Sequence, residues 1–117
     1  MTEKEETIQK LKTFGKRRHR QSAFIDVDLD IYQKYVDLCI NELITEIERN
    51  DSPGRKKNIL KKYLSYIRKM QIGETVEREY VCMEFYDLSQ IVSIDVGFYV
   101  NKTLYGSFLA ILSFDIP

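Results

Sequence analysis

Between Asp30 and Asn50 the apolar residues Tyr32, Val36, Cys39, Leu43 and Ile47 recur at steps of four, three, four and four. An α-helix advances about 100° per residue, so they form one stripe, and Ile40 and Ile44 widen it to about half the circumference. A segment that apolar on one side must bury it against other elements. The spacing predicts a helix central to the core. Asp30 reads as its N-cap, Gln33 stands at the capping-box position, and the helix ends near Asn50.

The remaining periodic segments fit around it. Residues 4–18 read as a short amphipathic helix with Ile8, Leu11 and Phe14 on one side and Glu3, Glu5 and Glu6 at its N-terminal end. "GKRRHR" follows, as a last turn or a loop, and then a connector with a short extended piece at Phe24–Val27. Ser52 and Pro53 mark another helix start, because serine caps and proline needs no amide donor at the first position. Gly73 stops that helix. A fourth begins at Glu74 or Thr75, with Val81, Phe85, Leu88 and Val92 as its buried seam. The last stretch, from residue 92, stays open between a hairpin around Asn101-Lys102 and a short helix near Leu104 with a loop. With 117 residues the chain holds one domain, and segment 1–22 is a mobile N-terminal helix and basic run in this reading. The fold class is therefore mainly α: a three- or four-helix, bundle-like domain closed by an apolar C-terminal segment. The alternative is α+β with a short C-terminal β-hairpin.

The stretch "SPGRKKNILKKYLSYIRKM" contains seven basic residues and no acidic one. Wound as a helix, it places Ile59, Leu60, Tyr63, Tyr66, Ile67 and Met70 in one arc. Arg55, Lys57, Lys61, Lys62, Arg68 and Lys69 fall opposite, and only Lys56 turns toward the apolar side, in a frayed first turn. Three uses of that basic face remain open: a solvated or internally paired surface, a protein-docking surface, and a nucleic-acid surface. Glu42 and Glu46 stand where they can face its lysines. Single-strand binders interleave aromatics with their cations, whereas Tyr63 and Tyr66 fall here in the apolar arc. No helix-turn-helix or zinc-finger signature accompanies the charges.

The chain as a whole carries 18 basic and 18 acidic residues, so no net field draws it to DNA or membrane. Residues 1–70 are basic and 71–117 acidic, an arrangement that favours attraction between the two parts. No run approaches the ~20 apolar residues that span a bilayer. Cys39 and Cys82 each sit in an apolar run, where a cysteine is a small core residue, and two thiols make no secreted disulfide scaffold. A reducing cytoplasm is the expected location.

Catalytic patterns are weak. His19 lies among Lys16, Arg17, Arg18 and Arg20 with nothing nearby in sequence to orient it as a base. Asp26, Asp28 and Asp30 have the alternate spacing of a calcium loop, but Ile31 and Asp37 occupy the places that need glycine and a bidentate glutamate. No Cys/His spacing suits zinc, and no glycine-rich phosphate loop is present. No cofactor, metal or catalytic residue is expected, so the chain reads as not an enzyme.

In the C-terminal half, "EREYVCMEFYDLSQIVSID" followed by "NKTLYG" resembles an uncharacterised bacterial family of small standalone proteins, domain of unknown function four-eight-four-four. Arg78, Glu79, Tyr80, Cys82, Phe85, Leu88, Ile91, Ile94, Asn101, Leu104, Tyr105 and Gly106 carry the resemblance. It implies a mainly helical protein and brings no activity with it.

Eight tyrosines are many for this length, and tyrosine suits surfaces with one apolar and one wet side. Tyr99 and Tyr105 are the ones expected to be exposed. The sequence therefore points to a non-catalytic, small bacterial protein that binds another protein, an immunity or antitoxin-type factor being one concrete version. Arg55, Lys57, Lys61, Lys62, Arg68, Lys69, Tyr99 and Tyr105 are its candidate contacts. The alternative is weak nucleic-acid binding through the basic helix 52–70. The oligomeric state stays open.

Overall fold

Helices form where the apolar periodicity places them: α1 (Glu3–Gly15), α2 (Asp26–Arg49), α3 (Pro53–Arg68) and α4 (Thr75–Ile91). The computed structural model describes residues 2–17, 26–70 and 75–95, with the side chains of 26–28 and 75–78 outside that description. The fold is a mainly α, four-helix arrangement, with no strand among the described residues. Gly73, His19, Tyr99, Tyr105 and the alternative C-terminal hairpin lie outside the described residues.

Local signals fix the helix ends. Thr2 caps α1: its hydroxyl oxygen accepts from the Glu5 amide at 3.2 Å and its hydroxyl donates to the Glu5 carboxylate at 3.0 Å. The start of α2 corrects two expectations. It begins at Asp26, one turn before the expected cap, so Asp30 is interior and Asp26–Val27 is helical rather than extended. Asp30 therefore lies in the second turn, too far inside the helix to act as its cap. Gln33 donates instead to Asp37, one turn on, at 3.1 Å. The helical backbone also sets position 28 about 200° from position 26, so the aspartate spacing does not trace a calcium loop.

Between α2 and α3 the chain reverses within three residues. The amides of Asn50 and Asp51 both donate to the Glu46 carbonyl, at 3.0 and 2.7 Å, and Asp51 takes the left-handed conformation at φ 51°. Ser52 then caps α3, accepting from the Arg55 amide at 3.3 Å, with Pro53 next. Lys56 is not frayed: it is buried, and its ammonium donates to Asp51 at 2.8 Å. At the far end of α4, Ser93 is left-handed at φ 58°, and the Ile94 amide reaches the Ser89 carbonyl at 2.8 Å. This is a Schellman stop, so the polar–apolar alternation after Val92 opens as a helix terminus.

The helices neighbour one another in a ring, α1–α2–α3–α4 and back to α1. The core draws Leu11 and Phe14 from α1, Leu60, Tyr63, Leu64 and Ile67 from α3, and Val81, Phe85 and Leu88 from α4, with Val92 just beyond its end. From α2 come Tyr32, Val36, Cys39, Ile40, Leu43 and Ile47, the largest share. The expected core arc of α3 is rotated slightly. Leu64 is buried where Tyr66 was expected, and Tyr66 is 38% exposed. Gly15 lets α1 approach α2 closely, since a β-carbon there would stand 3.2 Å from Ile40 Cδ1.

A polar pin crosses the core. The Tyr32 hydroxyl donates to buried Glu84 at 2.8 Å. Arg17 approaches Glu84 at 3.7 Å and Asp87 at 3.6 Å while lying over the Phe14 ring. The basic and acidic parts of the sequence do meet here, at Arg17 just beyond the end of α1.

Burial, and secondarily the charge of Glu42, pushes the Cys39 thiol far above its ordinary range. Half-buried Cys82 is pushed up to about 11, again mainly by burial. In native protein at neutral pH, iodoacetamide should leave Cys39 unmodified and alkylate Cys82 more slowly than unfolded chain; mass mapping reads both sites. Phe85→Ala should lower unfolding stability by about 3–5 kcal/mol in urea titrations, because the ring is fully enclosed.

Candidate functional site

Two side-chain rows meet on the outer side of the α2–α3 pair. On α2, Ile31, Tyr35, Leu38, Glu42, Thr45 and Arg49 repeat at steps of four, three, four, three and four. On α3, Arg55, Ile59, Lys62, Tyr66 and Lys69 repeat likewise. Because the helices run antiparallel through a tight turn, the rows lie side by side in opposite directions. Tyr35 meets Tyr66 with ring centroids 5.7 Å apart, and Tyr66 stands edge-on to Tyr63 at 5.5 Å. Nearer the turn the rows enclose a shallow groove of about 370 Å³, lined by Leu38, Ile59 and Tyr63, by Arg49 and Arg55, and by Glu42 and Glu46 among polar neighbours.

Half of the predicted basic face is engaged within this hairpin. Lys62 donates to Glu42 at 2.6 Å and lies 4.9 Å over the Tyr63 ring. Arg55 approaches Glu46 at 3.9 Å. The second oxygen of Glu46 accepts from the Ser52 amide at 3.1 Å, so this carboxylate holds both the turn and the start of α3. Lys69 lies 6.0 Å over Tyr66. Lys61 and Arg68 are not free either, and Lys57 is exposed. The structure thus divides the six cations. Arg55, Lys62 and Lys69 border α2, while Lys57, Lys61 and Arg68 stand on the far side of α3.

Glu42 is the electrostatic centre of this face. Partial burial opposes its ionisation, but the hydrogen bonds from Lys62 and from the Tyr63 hydroxyl, with the Lys62 charge, outweigh it and hold the carboxyl below its usual range. Tyr63 is pushed far up by burial first and then by its bond to Glu42. A carboxyl held ionised in this way is a fixed acceptor. A general acid needs the opposite shift.

Two expectations change in detail. Tyr66 does not belong wholly to the apolar arc; it stands between Lys62 and Lys69. The row of exposed Ile31 and Leu38 with half-buried Tyr35 between them was not foreseen, although its signal was available: it repeats the core stripe of α2 one residue earlier. Among the described residues no group of three or more His, Cys, Asp or Glu is placed to hold a metal, and no helix is long and apolar enough to cross a membrane. No family model matches the chain, and no curated protein and no solved structure matches it either.

Because the folded pKa of Glu42 lies below its unfolded value, its contribution to stability is present above about pH 4.3 and is lost as pH falls through the folded pKa. The pair is partly exposed, so the contribution should be at most about 1 kcal/mol. Urea titrations should find Glu42→Gln less stable than wild type at pH 7, with the difference lost as pH falls through the folded pKa of Glu42.

Proposed function

We propose that this chain is a small, non-catalytic, cytoplasmic protein that binds another protein through the outer face of α2 and α3, as an immunity or antitoxin-type factor would. One observation carries the reading. Of the four large apolar side chains exposed among the described residues, Ile31, Leu38 and Tyr66 share this face and only Met83 lies elsewhere. Tyr35 joins them into a continuous row. Exposed apolar groups that are contiguous, rather than scattered, mark interaction surfaces, and rigid tyrosines supply contact area at low entropic cost. The cations support docking by steering and register more than by raw affinity.

A second reading, weak nucleic-acid binding, gains from Tyr66 standing between Lys62 and Lys69, where a base could stack. Against it, Glu42 and Glu46 place negative charge beside these cations and engage Lys62 and Arg55.

A photo-crosslinking residue at Leu38, expressed in the native host, should trap one discrete protein, while the same residue at Lys57 should not. Failure at Leu38 would remove the docking reading. In parallel, labelled single-stranded DNA should show little affinity at 150 mM salt. Binding that falls steeply with salt and is lost on changing Lys61, Lys62, Arg68 and Lys69 to Glu would favour the second reading.

A further inference from the structure

We infer that the partner element on this face is an acidic amphipathic helix, laid along the α2–α3 groove and held by carboxylates at both ends; the inference rests on the docking reading above. The face has a fixed order. Ile31, Tyr35 and Leu38, with Tyr66 beside them, form an apolar and aromatic half. Ile59 continues it into the groove. Lys69 stands at one end of the rows, Arg49 and Arg55 at the other, and Lys62 between. Four cations thus border the rows against two carboxylates, Glu42 and Glu46. Glu46 is buried, and both carboxylates already accept from groups of the hairpin.

Charge complementarity selects the occupant. In an isologous pair of this chain the two-fold axis lies in the plane of contact. With the axis along the helices and between them, Arg55 of each copy meets Arg49 of the other. With the axis across them, Lys69 meets the arginine end. Either way cations oppose cations, so a second copy is disfavoured. An acidic helix meets both ends favourably. The α2 row from Ile31 to Arg49 is about 27 Å long, room for about five turns. Two antiparallel helices present a groove, and the standard occupant of such a groove is a helix with anchors at i, i+4 and i+7. Leucine-sized anchors would pack on Leu38, Tyr35 and Tyr66, and Glu or Asp at the two ends would reach Lys69, Arg49 and Arg55.

The probe is a fluorescein-labelled 18-residue helical peptide with leucine at i, i+4, i+7 and i+11 and glutamates in its first and last turns, compared with its lysine counterpart. At low salt the full-length protein should bind the acidic probe at least tenfold more tightly than the basic one. Leu38→Glu should abolish binding, and Arg49→Glu with Lys69→Glu should reverse the preference. Each variant should keep the wild-type thermal midpoint within about 4 °C, as exposed positions do. No binding, or equal binding of both probes, overturns the acidic-helix assignment; a protein trapped at Leu38 in the host would then leave the docking reading standing alone. A large midpoint loss in Leu38→Glu overturns it by showing that the face is covered within the chain itself. A dimer by sedimentation that Leu38→Glu dissolves overturns it in favour of a second copy.

Discussion

Glu46 and Glu42, one helical turn apart on α2, set how α3 lies on its neighbour. Glu46 accepts from the Ser52 amide and draws in Arg55, which places the first turn of α3. Glu42 takes Lys62 and Tyr63 two turns further along α3. Exposed pairs of this kind contribute little energy singly. Two of them at successive turns still penalise any sliding of one helix past the other, since a slipped register would leave cations facing apolar side chains. Leu60, Leu64 and Ile67 then drop into the core beside Leu43 and Ile47, and burial supplies the stabilisation that the ion pairs do not.

The same arrangement decides what the surface can do. Arg55 and Lys62 are engaged across the hairpin and Lys69 lies over an aromatic ring. They become the borders of an apolar and aromatic row, and charge at a border sets orientation and partner choice. The opposite side of the molecule is built differently. There Arg17 closes over Phe14 and meets Glu84 and Asp87, while Tyr32 grips Glu84 from α2. That pin ties three helices together and presents no comparable exposed row among the described residues.

Much of the fold was legible because burial imposes a period on sequence. The stripes of α2 and α4 gave their helices, and Ser52-Pro53 gave the start of α3. Asp30 misled because a residue suited to capping also suits the first turns of a helix that starts earlier. The choice between the two depends on backbone geometry beyond a short window. Tyr66 misled because its angular position borders the core, and only the neighbour, Tyr35, decides which side of the border it takes. That Glu42 and Glu46 could face the basic helix was readable from their place at the edge of the stripe. That they divide its cations into two sets was not, because pairing partners twenty residues apart depend on register. The row Ile31–Tyr35–Leu38, exposed at its two ends, was present in the sequence and hidden by proximity, lying one residue from a stronger pattern.

The central claim is that Glu42 couples α2 to α3, and a double-mutant cycle tests it directly. Unfolding free energies at pH 7 would be measured for wild type, Glu42→Gln, Tyr63→Phe and the pair. The account predicts a coupling of about 1 kcal/mol between the two sites. Additivity within about 0.3 kcal/mol would show that the carboxylate and the phenol act independently, and would contradict it.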